Sequence, residues 1–231
     1  MDLWGILLVV VIVAVVGTGV AVGLSRRKRT PPIDQRFVSG WEQQMRTLEA
    51  SLGWRFVAED QGFQERVPQV GRMLESDRSR VRLQLVGHSR GVPVLAVETV
   101  FRATHLMTAE YRSYVAVVVP RPVPGPWVLI SPQEDSVWNL LEQFVTTGDA
   151  VFDSRFQVRR KHPTFAKALL ASGLTQALLN DPRANGVAVT FDEHNLAAVV
   201  PGTLLQTPLA QLTDLLLDLQ AHVPWQALPR G

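Results

Sequence analysis

An unbroken apolar run near the N-terminus is the first pattern along this chain. It extends from Leu3 to Leu24 without a charged side chain, and Thr18 is its only polar one. As a helix the run would be roughly 33 Å long, enough to span a bilayer core about 30 Å thick. Four basic residues follow almost at once: Arg26, Arg27, Lys28 and Arg29. The pattern predicts an uncleaved transmembrane anchor with a basic collar over residues 1–30.

The charges that flank the run predict its orientation. Met1 and Asp2 precede it, whereas Lys and Arg near the end of a span stay on the cytoplasmic side. We therefore expect a single-pass protein of the cell membrane, with its N-terminus outside and its soluble body in the cytoplasm. The alternative is a cleaved secretory signal, which needs a basic stretch before a shorter apolar core. Here the apolar core is long, and the basic residues come after it.

The same segment predicts contacts with partners. The bilayer would surround the residues from Leu3 to Leu24, and the basic collar would touch anionic lipid. Gly19 and Gly23 have the spacing of small residues in packed membrane helices, which predicts a weak homodimer. The alternative is that glycine is simply common in such helices. A protein partner of unknown identity is expected for the body.

After the anchor, residues 31–35 form a proline-rich spacer, and an α+β subdomain is predicted over residues 36–145. Apolar positions at helical spacing predict a helix that ends at Gly53. Alternating apolar and polar positions predict strands of an antiparallel meander at residues 54–57, 81–86, 92–101, 111–119 and 127–130. A loop over residues 60–80 and a short helix over residues 136–145 complete this part.

A smaller α+β subdomain is predicted over residues 150–223. Its pattern gives a strand at residues 152–158, two helices joined at Gly173, a hairpin at residues 187–200 and a last helix. Thr207 and Pro208 have the form of a helix start, with an N-cap oxygen before a proline. The predicted fold class is therefore α+β, with one N-terminal transmembrane helix followed by a soluble body of antiparallel sheet and helices.

Several segments together resemble a group of bacterial proteins. Residues 48–56, LEASLGWRF, look like the helix and Gly-Trp-aromatic opening of uncharacterised single-pass membrane-anchored proteins with a cytoplasmic domain of unknown function. The further matching segments are residues 87–91, 152–158, 169–170, 174–179 and 189–191. The resemblance covers most of residues 40–220. It implies the same architecture and no assigned catalytic residue.

Composition and charge narrow the function classes. The chain has 231 residues and a net charge of +2. Its first 30 residues include four basic side chains and one acidic side chain, so the remainder, with 19 basic and 20 acidic residues, is nearly neutral. A nucleic-acid-binding body would carry a basic stripe, and none is visible. No nucleic-acid partner is expected.

Candidate metal ligands are few. The chain has no cysteine, which excludes disulfides and thiolate metal sites. Asp192, Glu193 and His194 are adjacent, but we interpret them as the polar tip of a hairpin rather than as a ligand cluster. The histidines form no pair at metal-binding spacing: His88, His105, His162, His194 and His222. We expect neither a metal nor a cofactor.

One motif has the form of a catalytic site. The pentapeptide GHSRG matches the G-x-S-x-G nucleophile elbow of α/β-hydrolases, at Gly87, His88, Ser89, Arg90 and Gly91. An elbow needs a helix after its serine, but residues 92–97 are apolar on both alternating faces, as in a buried strand. The other interpretation is a hairpin turn in which the two glycines take positive φ.

Two function classes follow from these patterns. We predict a membrane-tethered cytoplasmic protein that is not an enzyme and acts as an interaction or scaffolding module, because no catalytic constellation is visible. No catalytic, cofactor-binding or metal residue is assigned. The alternative is a membrane-bound serine hydrolase that uses Ser89, with His194 or His222 as its general base. A nucleic-acid adaptor is a distant third.

Overall fold

A computed structural model describes residues 35–57, 80–105, 108–133 and 145–229. The chain divides into two units, Met1–Gln43 and Gln44–Gly231. In the first unit the described residues belong to the start of helix α1, Gln35–Leu52. The second contains the rest of α1 and the sheet. The loop expected at residues 60–80 and the helix expected at residues 136–145 lie almost entirely outside the described residues.

Helix α1 ends where its sequence predicts. Gly53 has φ of 65°, in the left-handed region that glycine adopts freely. The chain then enters strand β1, Arg55–Val57. Glu49 holds this junction, because its backbone carbonyl accepts from Trp54 N at 3.2 Å and its carboxylate accepts from Phe56 N at 2.5 Å.

Within the described residues, eight antiparallel strands form one sheet in the order β1-β2-β3-β4-β8-β7-β5-β6. The strands after β1 are β2 (Arg80–Ser89), β3 (Val92–His105), β4 (Thr108–Pro120), β5 (Val128–Pro132), β6 (Phe156–Arg160), β7 (Ala188–Phe191) and β8 (Asn195–Pro201). The sheet contains strands from both predicted subdomains. The boundaries of those subdomains stay predictions.

Directly paired residues lie on the same face of the sheet. Leu95, Val118 and Ala197 pair in turn across β3, β4 and β8, and Thr190 and Leu129 continue the row across β7 and β5. Apolar side chains on this face form a core cluster of Val97, Tyr114, Ala116, Val118, Leu129, Ala188, Ala197 and Val199. β-branched and small residues fit such a pleated, buried surface.

The helices of the C-terminal half are α2 (Ala150–Arg155), α3 (Pro163–Leu169), α4 (Thr175–Asn180) and α5 (Leu209–His222). A π-helical turn, Leu170–Leu174, joins α3 to α4. Its Gly173 has φ of 93°, so the joint falls where the sequence predicts it. Helix α5 packs against β4 and β8 with an apolar stripe of Leu212, Leu215, Leu216 and Leu219.

The strand order differs from the expected meander at one place. Strand β5 was expected next to β4, but β8 and β7 lie between them. The segment between β4 and β5 contains Pro122, Pro124 and Pro126, and proline cannot donate to a strand ladder. The chain therefore crosses over the end of the sheet instead of making a tight turn.

The first half of the segment at residues 152–158 is a helix, not the expected strand. Asp149 caps α2 by accepting from Val151 N at 3.0 Å and Phe152 N at 3.1 Å. Phe152 and Phe156 are four residues apart, a spacing that suits one helix face as well as one strand face. Their rings stack at 5.1 Å. The apolar pattern allows either a helix or a strand here, and the Asp149 cap favours the helix.

Thr207 was expected to cap the last helix, but its side chain makes a different hydrogen bond. Helix α5 begins at Leu209, and Pro208 precedes it without a side-chain cap. The Thr207 hydroxyl donates instead to the Thr203 carbonyl at 2.8 Å, across a turn. The helix start is placed correctly by the sequence, but the threonine stabilises the turn before it.

The fold class also needs a correction at the N-terminus. None of the helices in the described residues combines the length and the apolar character needed to cross a bilayer. The predicted span from Leu3 to Leu24, its basic collar and the glycine pair lie outside those residues. The fold class that began with a transmembrane helix is therefore wrong in that part. The structure shows an α+β fold on an antiparallel eight-stranded sheet.

Candidate functional site: a cleft between diverging strands

Strands β3 and β4 separate near one end of the sheet. Their ladder stops at the pair Leu95 and Val118. The β2–β3 ladder continues to Ser89 and Val92, and the β4–β8 ladder continues to Pro120 and Asn195. The β2–β3 pair and the β4–β8 pair therefore diverge beyond Leu95, and a cleft opens between them.

This strand cleft has a volume of about 620 Å³. Most of its lining is apolar, and its polar side chains are Arg55, His88 and Asn195, besides the indole nitrogen of Trp54. Leu95 packs against the core cluster, so the floor of the cleft continues into the apolar face of the sheet. The apolar lining comes from Trp54, Val86, Pro93, Val94, Leu95, Val118, Val119 and Pro120.

Trp54 closes the cleft on the side of β2. Its indole is 6% exposed, and Nε1 donates to the His88 carbonyl at 3.3 Å. A Cβ at Gly87 would lie only 2.1 Å from the Trp54 ring. Gly87 is therefore needed for close approach rather than for positive φ, which corrects the expectation for this glycine.

The turn of the GHSRG motif is tighter than expected. Arg90 and Gly91 alone connect β2 to β3, with φ of 51° and 77°. Two positive φ values describe a type I′ turn, which suits the twist of a hairpin. Ser89 pairs with Val92 in the ladder, so a strand and not a helix follows the serine. The geometry of a nucleophile elbow is not present at Ser89.

The two histidines considered as bases for Ser89 have other contacts. His194 lies in the β7–β8 turn, 3.7 Å from the Glu193 carboxylate. His222 Nδ1 lies 2.7 Å from the Asp218 carbonyl at the end of α5. No hydrogen bond joins Ser89 to a histidine within the described residues.

Ion pairs connect the tip of the β2–β3 hairpin to helix α5. Arg90 contacts Asp214 at 2.9 Å and Asp218 at 2.6 Å. Arg183 contacts Asp218 at 2.7 Å and Asp181 at 2.6 Å. Hydrogen bonds from Arg90 and then from Arg183 lower the pKa of the Asp218 carboxyl, against a smaller opposing effect of burial. This network fixes one wall of the strand cleft to the last helix.

Arg121 anchors the other wall, where the chain leaves β4. It is 7% exposed and lies over the rings of Phe165 and Trp225, at 5.5 and 5.0 Å. Its Nη1 donates to the Asp192 carbonyl and, at 3.1 Å, to the Gly125 carbonyl. Burial lowers the pKa of the guanidinium to about 10, although the charge of Asp192 opposes this shift.

Asp192, Glu193 and His194 form the tip of the β7–β8 hairpin. Asp192 is buried, and its Oδ1 accepts from His194 N at 2.8 Å and Asn195 N at 2.5 Å. Backbone bonds join this tip to the crossover, from Arg121 N to His194 O and from Gly125 N to Glu193 O. In the described part of the chain no group of three His, Asp or Glu side chains is placed to hold a metal ion.

The residues of the strand cleft were not identified from the sequence. Most of its apolar residues lie in runs that predict strands, and only the ladder register shows where two strands part. Pro93 and Pro120 were the available signal. Proline removes a ladder donor, and both prolines lie beyond the last β3–β4 pair.

Comparisons with known proteins give one likeness of fold. No protein-family model matches the chain, and a comparison with curated proteins gives no match. Among solved structures, the crystal structure of the mycobacterial trehalose monomycolate transport factor A, TtfA, is similar with a TM-score of 0.50. The likeness covers 78% of this chain and 90% of that one at 12% identity. At this identity it is a likeness of fold alone.

Proposed function

We propose that this protein is a non-catalytic accessory factor of lipid transport, which binds an acyl chain of its lipid in the strand cleft. The apolar lining of the cleft carries the proposal. An alkyl chain needs apolar surface and no hydrogen-bond partner, and the lining from Trp54 to Val119 offers that surface. The function needs no bond-breaking step and no cofactor.

The size and polarity of the cleft support a ligand of this class. Ligand sites typically have volumes of roughly 300–1,000 Å³, an apolar lining and a few convergent polar groups. The strand cleft, at about 620 Å³, lies within this range. Arg55, His88 and Asn195 can donate hydrogen bonds to the polar head of an amphiphile. Its alkyl chain would contact Leu95 and Val118.

The fold supports the transport class. TtfA is a transport factor for trehalose monomycolate by its name, and this chain has a similar sheet and helices. A fold can carry many functions, so the likeness adds to the cleft and does not replace it. We extend to this chain the general role, assistance to lipid transport, and leave the identity of the lipid to binding experiments.

A titration with an alkyl series tests the proposal. Each buried methylene contributes about 0.8 kcal/mol, or roughly fourfold in affinity. The affinity of the full chain for fluorescent fatty-acid probes should therefore rise with chain length until the cleft is filled. An affinity that does not change with chain length would contradict an apolar site.

A matched pair of variants locates the site. Val86 and Val100 are both half-buried strand valines, and Val86 lines the cleft while Val100 does not. Val86→Lys should weaken probe binding by about tenfold or more, because it places a charge in apolar surface. Val100→Lys should leave binding unchanged, with folding of both variants checked by thermal melting. Equal losses in the two variants would contradict the site.

The proposal places the folded body on the cytoplasmic side of a membrane, where basic residues such as Arg26 to Arg29 would meet anionic lipid. It also includes a protein partner of unknown identity. A reporter enzyme that is active only outside the cell membrane, fused after Gly231, should give no activity. A matched fusion to a reporter that is active only in the cytoplasm should be active. The reverse result would contradict this location.

A further inference from the structure

A second cavity lies beside β6, the edge strand that follows β5 in the sheet. Its volume is about 540 Å³. We call it the Arg160 cavity. Arg160 at the end of β6 and Lys167 on α3 line it, together with the loop that precedes α2. The remaining lining residues are Val145, Thr146, Thr147, Asp149, Pro163, Ala166, Leu170, Ala171 and Thr175.

Among the described residues, neither cation of this cavity has a carboxylate within ion-pair distance. No hydrogen bond or ion pair joins the side chain of Arg160 or Lys167 to another residue in the described ranges. Arg90 and Arg183, by contrast, each contact two carboxylates. Two cations that line one cavity and lack ion-pair partners repel each other and attract an anion.

The one acidic residue in the lining is already engaged. Asp149 caps α2 through Oδ1, which accepts from Val151 N and Phe152 N. Its Oδ2 accepts from Gln176 Nε2 at 3.4 Å. The Asp149 carboxylate therefore serves the helix start and pairs with neither cation in the described residues, and its single negative charge leaves the described lining with a net positive charge.

Hydroxyl groups and apolar surface complete the Arg160 cavity. Thr146 and Thr175 have hydroxyls without a partner within the described residues. The Thr147 hydroxyl donates to Asp153 at 2.8 Å. Leu170 is buried below the opening. Charged donors and hydroxyl donors thus line the same cavity. A phosphate group has enough oxygens to accept a hydrogen bond from each of them.

We propose that the Arg160 cavity binds a phosphate group, held by Arg160 and Lys167 and by the hydroxyls of Thr146 and Thr175. A guanidinium fits two phosphate oxygens at once, and an ammonium adds a compact charge. A phosphate monoester in solution and the headgroup of a phospholipid have this chemistry in common. The site is separate from the strand cleft and does not depend on the proposed acyl-chain binding.

Three variants of the full chain test the site. Arg160→Gln and Lys167→Gln each remove one of the two charges. Lys161→Gln is the matched control, because Lys161 is exposed, adjacent in sequence and absent from the lining. The probes are inorganic phosphate, followed by calorimetry, and vesicles of phosphatidylcholine with or without phosphatidic acid, followed by flotation.

We expect Arg160→Gln and Lys167→Gln each to weaken binding by about tenfold, the typical effect of a lost charged hydrogen bond. Lys161→Gln should bind like the wild type. If the two variants lose binding to inorganic phosphate, the ligand is a soluble phosphate. If they lose binding only to phosphatidic-acid vesicles, the ligand is a lipid headgroup. Equal losses in all three variants would mean only general surface attraction and would overturn the proposal. So would the absence of binding to both probes.

Discussion

Gly87 is the point at which the backbone of β2 contacts the Trp54 indole, which closes the strand cleft. Because a Cβ at this position would lie 2.1 Å from the Trp54 ring, alanine must displace the ring or bend the strand. The role of the glycine is therefore steric. It allows an aromatic side chain to lie directly on the backbone.

We predict that Gly87→Ala lowers the free energy of unfolding by about 1–3 kcal/mol, the usual cost of overpacking. The measurement is urea denaturation. Ser89→Ala, two residues along the same strand, should stay within about 0.5 kcal/mol of the wild type. A smaller ring partner, Trp54→Leu, should reduce the cost of Gly87→Ala. Additive effects of the two changes would contradict direct contact.

Arg121 is the residue whose role the sequence shows least. A buried arginine depends on partners that are far apart in the chain, here Phe165, Trp225 and the carbonyl of Asp192. None of these contacts follows from periodicity. The residue nevertheless connects the crossover, the β7–β8 tip and the C-terminal end of the chain.

Arg121→Gln should lower the free energy of unfolding by about 2–4 kcal/mol, because it leaves buried carbonyls unpaired and removes both ring contacts. Arg121→Lys should rescue little, since an ammonium cannot reach two carbonyls and two rings together. Arg46→Gln, at an exposed position of α1, is the control. Thermal and chemical denaturation give the comparison. An Arg121→Gln variant as stable as the wild type would mean that other residues hold the crossover in place.

At the scale of elements, the ion pairs of Arg90 attach the β2–β3 hairpin to α5. These pairs are exposed, so water and salt screen their contribution to stability. The pKa of Asp218 is lowered in the folded protein. A lowered carboxyl pKa stabilises the fold at any pH above the unfolded value, and the stabilisation disappears as pH falls through the folded value.

The wild type should therefore be more stable than Asp218→Asn at neutral pH, and the two should converge below about pH 4, the unfolded pKa range of an aspartate. Added salt should reduce the difference at neutral pH. Melting curves over a pH series provide the measurement. A difference that persists in strong acid would show that packing, not charge, explains the effect.

The helices, strands and turns show how far the sequence predicts this fold. Gly53, Gly91 and Gly173 were placed well, because each depends on local backbone geometry, whereas the second positive φ of the hairpin turn is at Arg90 and not at Gly87 as expected. The start of α2 was missed, since its cap at Asp149 lies outside the apolar pattern that suggested a strand. The strand cleft was missed because it depends on β8, a partner of β4 that is distant in sequence.

At the scale of the whole molecule, the chain from Gln35 onward should be separable from what precedes it. Its apolar positions are buried in a sheet with helices, as the core cluster shows. We predict that the fragment 35–231 is monodisperse without detergent and melts cooperatively, as an ordinary domain does. Circular dichroism and size-exclusion chromatography test this. Aggregation of the fragment would mean that residues 1–34 or a partner complete the fold.

The position of β7 and β8 in the middle of the sheet has a consequence for protein synthesis. These strands fill the gap between β4 and β5, yet they are translated after both. Until residues 188–201 leave the ribosome, β4 and β5 each present an edge with no neighbour, and such edges pair readily with other chains. The nascent chain is thus most prone to aggregation late in translation, which is when a chaperone would protect it most.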